Sequence, residues 1–273
     1  MNKPPKYLML ALDLDGTLTN SKKQITPVTF QALSRAADLG VTIVLASGRP
    51  VMGMQQVAES LNLAKMGGYL MACNGAQVVE YKTDETIFCE NLPANMISDI
   101  LALGRKLGVA ALSYDKDGVI TEHADDRYVK LEAFNNGLPV REVDCLDREV
   151  ADTLPKIMVV GEPEKLITCL SVFQTSFPQL NAFLSEPYFL EITNKGINKA
   201  KGLSMLLKHL NYTKDQLMSC GDGYNDLEML AYSGLGVAMG NAYDPIKEAA
   251  DWITASNDED GVARAVERFI LNG

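Results

Sequence analysis

The sequence predicts an α/β fold whose parallel-sheet core is interrupted by an inserted α+β domain, and three observations predict it. Residues 7–12, 41–46 and 69–72 are apolar runs without polar alternation, the pattern of strands buried on both faces of a parallel sheet. Between them lie segments with apolar residues at helical spacing, so strand and helix alternate. From about Thr86 the alternation gives way to mixed strands, helices and hairpin-like turns, and it resumes at Lys195. The expected division is 1–84 for the first part of the core, 85–192 for the inserted domain and 193–273 for the second part of the core.

Taken in order, the first strand runs into Asp13-Leu14-Asp15-Gly16-Thr17. Residues two apart on a strand share a side, so Asp13 and Asp15 are expected to emerge together while Leu14 turns into packing. Thr26-Pro27 supplies an N-cap followed by proline at the first helical position; Phe30, Leu33 and Ala37 keep helical spacing, and Gly40 is a C-terminal stop. The second strand ends in Ser47-Gly48-Arg49-Pro50, a helix is expected over about 52–61, and the third strand ends in Cys73-Asn74-Gly75. In the inserted domain, Asp115-Lys116-Asp117-Gly118 reads as a hairpin turn between strands 110–114 and 119–122. Helices are expected over Ala94–Leu107 and 164–177, with strands over Lys156–Val160, 182–185 and 189–193.

After Lys195, Leu203, Leu206, Leu207 and Leu210 mark one helix face, and Thr213 with Gln216 fits a capping box. A strand over 217–220 ends in Gly221-Asp222-Gly223-Tyr224-Asn225-Asp226, and a helix follows to about Tyr232. A strand over 235–239, a helix opened by Asp244-Pro245, a short strand at 252–254 and a closing helix over 262–270 complete the chain.

Composition excludes several classes of function. Lys and Arg number 25 against 35 Asp and Glu, a net charge of −10, which argues against a general nucleic-acid surface. A small anionic ligand needs only a few local cations and stays open. The apolar run after Lys6 is too short to span a bilayer and lacks a small-residue cleavage pattern, so no membrane anchor or signal peptide is expected. Cys73, Cys89, Cys145, Cys169 and Cys220 are scattered, without a C-x-x-C, as expected of reduced, mostly buried thiols in a cytoplasmic protein. With only His123 and His209, a histidine zinc site is not expected, and Asn211-Tyr212-Thr213 carries no meaning as a glycosylation acceptor in the cytoplasm.

The chemistry gathers at strand ends. Asp13/Asp15, Ser47, Asn74 and Asp222/Asn225/Asp226 all follow strands of the proposed core, where open α/β sheets bind ligands, and Asn198-Lys199-Ala200-Lys201 stands just before a helix. Converging carboxylates repel one another. A hard cation with oxygen ligands, Mg²⁺ first, holds such a group together, and a lysine can help. Such a site suits phosphoryl transfer, where catalysis is largely positioning and charge neutralisation.

Asp-x-Asp-Gly-Thr, Ser-Gly-Arg-Pro, Asn-Lys and Gly-Asp-Gly-x-Asn-Asp, in this order, resemble the haloacid dehalogenase superfamily, and within it the Cof-type phosphatases with a large α/β cap. The resemblance extends over nearly the whole chain and implies a Rossmann-like core with an inserted cap acting as a lid. It implies Asp13 as nucleophile, forming an aspartyl-phosphate, and Asp15 as general acid and base, a split that needs Asp13 ionised and Asp15 able to hold a proton. It implies Mg²⁺ on Asp13, Asp222 and the main-chain carbonyl of Asp15, with Asp226 supporting that site directly or through water. Ser47 and Gly48 would contact the phosphoryl oxygens, Asn225 the phosphate or substrate, and Lys199 would neutralise charge and tie down Asp13. Glycine commonly follows that lysine in the family; here Ala200 does, which makes Lys195 and Lys201 the alternatives to Lys199. The substrate implied is a small phosphorylated metabolite, with sugar phosphates leading.

Other readings are weighed against these. A calcium loop at Asp13 would need a helix before it and a glutamate where Gln24 stands. Ser47 by itself would cap a helix, Asp222 and Asp226 would favour a helix N-terminus, and Asn74-Gly75 divides evenly between a structural turn and a substrate contact. Met52, Met54, Met66 and Met71 read as packing. His123, Arg127 and Tyr128 of the inserted domain are left open between ligand and solvent. A phosphomutase and a non-catalytic binding protein on the same fold are the competing functions.

Overall fold

In a computed structural model that describes residues 5–150 and 154–272, the chain divides into two units. One runs to Phe88 and resumes at Asn198; the other is Cys89–Ile197. The expected insert of 85–192 is displaced at both ends because Glu85–Cys89 is the edge strand of the first unit's sheet, and because the second unit's last strand runs on to Asn194.

The first unit is built on an eight-stranded sheet. Its order is Trp252–Ile253, Leu235–Ala238, Leu217–Gly221, Met9–Asp13, Thr42–Ala46, Tyr69–Ala72, Gln77–Glu80 and Glu85–Cys89. Every pairing from Trp252–Ile253 to Tyr69–Ala72 is parallel, and Gln77–Glu80 then turns back antiparallel. Met9–Asp13 lies between Leu217–Gly221 and Thr42–Ala46, where chain order reverses, so its carboxyl end opens on a topological switch point. The strand is buried along its length, with Met9, Leu10, Ala11 and Leu12 fully enclosed, which explains the lack of polar alternation.

Local chemistry sets the helices around the sheet. Thr26 caps Pro27–Asp38 by accepting from the Thr29 amide, and Gly40 takes a left-handed φ of +86° after it. The helix expected over 52–61 is instead a 3₁₀ turn, Val51–Met54, followed by Gln55–Ser60, and Asn62 at φ +58° separates a further turn, Leu63–Met66. Lys199–Leu210 buries Leu203, Leu206 and Leu207 as its spacing predicts, and Lys199 with them. The closing helix begins at Gly261 and finishes as a π-helical turn, Glu267–Leu271.

The second unit has a six-stranded mixed sheet in the order Leu180–Glu186, Phe189–Asn194, Lys156–Val160, Ala110–Asp115, Gly118–Thr121 and Val140–Glu142. Ala94–Leu107 and Pro163–Ser176 pack on one face through Ile97, Ile100, Leu166 and Phe173. A helix not anticipated from the sequence, Arg127–Asn136, covers part of the other face with Tyr128, Val129 and Ala133. Asp115 closes the predicted hairpin by accepting from the amides of Asp117 and Gly118, so that cluster is a turn. Arg127 pairs with Glu162 at 2.6 Å, Tyr128 stacks on Tyr188, and the two are thereby tied within this unit.

One close approach in the first unit places the lysine of the site. Gly75, at φ +96°, lies so near the start of the Lys199–Leu210 helix that a Cβ there would stand 2.2 Å from the Asn198 carbonyl oxygen. Gly75→Ala is therefore expected to cost about 2 kcal/mol or more, since it adds left-handed strain to a backbone clash. Urea unfolding of wild type and variant measures the loss; equal midpoints would refute it.

Candidate active site

Asp13 ends the central strand, and only 6% of its surface is exposed. Its Oδ1 accepts from Lys199 Nζ at 2.6 Å, and the same ammonium donates to Asp226 Oδ1 at 2.6 Å. Lys199 and Asp226 are wholly enclosed. Asp226 Oδ2 accepts from the backbone amides of Asp222 and Gly223, both at 3.0 Å, so this carboxylate holds the lysine with one oxygen and the strand-end loop with the other. The alternatives to Lys199 point elsewhere: Lys195 donates to the Pro178 carbonyl and Lys201 is exposed.

Asp222 comes to the same place from the neighbouring strand. Its Oδ1 accepts from the Thr17 hydroxyl at 2.7 Å. Asn241 Nδ2 donates to the Gly16 carbonyl at 2.8 Å and reaches Asp222 Oδ2 at 3.5 Å. Gly16 has φ +84°, and a Cβ there would fall 2.3 Å from Asp222 Oδ2, so only glycine lets this carboxylate approach the turn. One oxygen each of Asp13, Asp222 and Asp226 lies within 4.8 Å of the others.

The charges of this group do not balance. With all three carboxylates ionised against one ammonium, two negative charges would be left in a largely buried place. Burial, with the Asp226 carboxylate next, pushes Asp13 up to about 8 despite Lys199. Burial likewise raises Asp222. Burial would lower Lys199, but the Asp13 and Asp226 carboxylates outweigh it and raise it. A divalent cation with oxygen ligands fits: it brings the sum to zero, and Asp13 and Asp222 offer hard donors. Asp226 holds the lysine with Oδ1 and two backbone amides with Oδ2.

Asp15 departs from the expected pair. Its carboxylate leaves the cluster and is gripped by Arg49, with Nε at 2.9 Å from Oδ2 and Nη2 at 2.8 Å from Oδ1, and by Lys23 at 2.6 Å from Oδ1. Burial alone would raise Asp15, but these two cations outweigh it and hold the carboxyl below its usual range. The two carboxyls are thus shifted in opposite directions, Asp13 upward and Asp15 downward. Among the described side chains Asp15 is outside the acidic cluster.

The remaining strand ends are laced together. Ser47 is buried; its amide donates to the Met71 carbonyl and its hydroxyl accepts from the Arg49 amide at 3.2 Å. The amides of Cys73 and Asn74 donate to the Arg49 and Ser47 carbonyls, at 2.9 Å each. A Cβ on Gly48 would meet the Asn74 amide at 3.2 Å. Asn225 is exposed and donates to Asn74 Oδ1 at 3.1 Å, so the two candidate substrate contacts hold each other. Arg49, Lys23, Thr17 and Asn241 escaped the sequence reading as site residues. Arg49 and Thr17 stand inside quoted motifs and could have been found there; Lys23 and Asn241 carry no motif signal.

Comparison with known proteins accords with this geometry. A family model described as haloacid dehalogenase-like hydrolase matches residues 10–266. The chain is 30% identical to the Bacillus subtilis 5-amino-6-(5-phospho-D-ribitylamino)uracil phosphatase YcsE, covering 96% of each. Its fold matches the crystal structure of a haloacid dehalogenase-like hydrolase from Bacteroides thetaiotaomicron with a TM-score of 0.92 at 41% identity, over 96% of this chain and 99% of that one. It also matches the HAD subclass IIB sugar phosphatase BT4131, with a TM-score of 0.81 at 27% identity, over 96% and 98%.

The raised carboxyls give the cation a measurable consequence. Burial pushes Asp13 up to about 8, so a dication that binds there near pH 7 would displace a proton. Binding is expected to release about one proton at pH 7 and progressively less as pH rises past 8. Calorimetric titration in buffers of different ionisation enthalpy measures the release; none at pH 7 would refute the assignment.

Proposed function

The chain belongs to the haloacid dehalogenase-like hydrolase family and is a phosphatase of that kind; we propose that it depends on Mg²⁺, acts on small phosphorylated metabolites, sugar phosphates foremost, and works through an aspartyl-phosphate on Asp13. One observation carries the reading: a buried strand-end carboxylate, Asp13, is held at 2.6 Å by an enclosed lysine beside two further carboxylates. Asp13 would attack phosphorus, forming a new O–P bond as the bond to the ester oxygen breaks. Asp15 would give that oxygen its proton, then take one from the water that hydrolyses the aspartyl-phosphate. Lys199 fixes the attacking carboxylate and offsets charge. Ser47 Oγ and the Gly48 amide would face the phosphoryl oxygens, with Asn225 at the substrate.

Hydrolases of this family generally use a divalent metal, and here Asp13, Asp222 and the Asp15 carbonyl would hold it. When bound it supplies neutralisation of negative charge on the nucleophile and phosphoryl group. A dication beside Asp13 would favour its ionised form, the half of the split that concerns the nucleophile. For the substrate, the supporting likeness is twofold: one relative is named for a ribityl phosphate and one structural neighbour for sugar phosphates, both hydroxylated phosphate esters.

Asp13→Asn keeps the shape of the side chain and removes the nucleophile. Turnover of p-nitrophenyl phosphate is expected to fall by roughly three orders of magnitude or more, with the circular dichroism spectrum unchanged, and EDTA is expected to abolish wild-type turnover. Near-wild-type rates in the variant would sink the nucleophile assignment. Among phosphate esters, sugar and sugar-alcohol phosphates are expected to give the highest kcat/KM; a panel led by nucleotides would overturn the substrate class.

A further inference from the structure

Resting on the phosphatase reading, we propose that Arg49 is a positioning residue that fixes the plane of the Asp15 carboxylate and leaves Oδ2 as the oxygen through which the proton passes. Asp15 lies beyond the strand, in the turn between Asp13 and Thr19, and a carboxylate's terminal torsion has no sharp preference of its own. Its plane must be set by partners. Arg49 supplies two parallel contacts, Nε to Oδ2 at 2.9 Å and Nη2 to Oδ1 at 2.8 Å, and a planar fork on a planar carboxylate fixes rotation as one point contact cannot.

The atom follows from counting acceptor positions. Each carboxylate oxygen has two. Lys23 Nζ adds a second donor at Oδ1, at 2.6 Å, so Oδ1 is filled by Lys23 and Arg49. Among the described residues Oδ2 accepts only from Arg49, and its second position is the open one. In the first half-reaction the proton leaves Oδ2 for the ester oxygen as the P–O bond breaks and the Asp13–P bond forms. In the second, a water proton moves to Oδ2 while the water oxygen bonds to phosphorus and the Asp13–P bond breaks.

Arg49 is itself held in place. Its Nη1 donates to the Gly53 carbonyl at 3.3 Å, its amide to Ser47 Oγ at 3.2 Å, and its carbonyl accepts from the Cys73 amide at 2.9 Å. The loop that carries the candidate phosphoryl contact Ser47 therefore also aims the proton carrier. Lys23 differs: its side chain is 65% exposed against 23% for Arg49, so the fork is the ordered part of the grip.

An aryl leaving group departs as a stable anion and needs no proton, whereas attack of water on the aspartyl-phosphate still does, so rapid-mixing kinetics separate the two steps. Arg49→Lys, which keeps the charge without the fork, and Arg49→Ala are mixed as full-length proteins with p-nitrophenyl phosphate and Mg²⁺. Both are expected to release about one nitrophenolate per chain in a burst within about threefold of the wild-type rate. The steady state then falls about 30-fold or more, within the span of general acid–base effects. With a sugar phosphate, both steps are expected to slow. Equal loss of burst and steady state would show a merely structural role, and a wild-type steady state in Arg49→Lys would show that charge alone suffices; either overturns the proposal. Failure of the wild type to turn over p-nitrophenyl phosphate would overturn the phosphatase reading itself.

Discussion

The enclosed ammonium of Lys199, shared at 2.6 Å between Asp13 and Asp226, is the constraint on which the rest of the site depends. A lysine taken wholly out of water requires carboxylate partners, and a pair of buried carboxylates requires a cation. Each member therefore fixes the others. Because Lys199 opens a helix, Asp13 ends the central strand and Asp226 lies in the turn after Leu217–Gly221, the three-way contact locks three chain segments at one point. The remaining two negative charges are what fit the site to a divalent cation.

Backbone-level lacing brings the other groups to that point. The turn after Tyr69–Ala72 has left-handed φ values at Cys73, Asn74 and Gly75, strain of a kind that persists only where the surroundings over-determine it. Here they do, through amide hydrogen bonds from that turn to Arg49 and Ser47 and through the contact of Gly75 with Asn198. Thr17 and Asn241 do the same for Asp222 from two other segments. Asp13 and Asp15 thus follow one strand and Ser47 and Asp222 two others, and the hydrogen bonds among their loops make them one unit.

The two carboxylates of the opening motif show what proximity in sequence conceals. Asp13 and Asp15 are two residues apart, yet one is enclosed among carboxylates and the other is bound by two cations, and their affinities for protons move in opposite directions. The Lys199 ammonium faces Asp13 within the acidic cluster, and the Arg49 fork holds Asp15 outside it.

Much of the fold was legible because buried parallel strands and capped helices write themselves locally: residues 7–12, the Thr26-Pro27 cap and the Leu203–Leu207 stripe each need only their own neighbours to be read. The helix Arg127–Asn136 was not legible, since it buries few apolar residues and shows little helical periodicity. The edge strand Glu85–Cys89 was assigned to the wrong unit because strand partners are chosen across the sheet. By itself the sequence determined the α/β core, its interruption, the strand-end positions of Asp13, Ser47, Asp222 and Asp226 and the place of Lys199 at the start of a helix, because motif order and apolar runs are local properties of the chain. Only the tertiary structure decided which lysine is enclosed, that Asp15 belongs with Arg49 and Lys23, and that Asp226 shares the Lys199 ammonium with Asp13. Those outcomes depend on burial and on the electrostatic field of groups far apart in the chain, such as Lys199 and Asp13 at 186 residues, which no local pattern records.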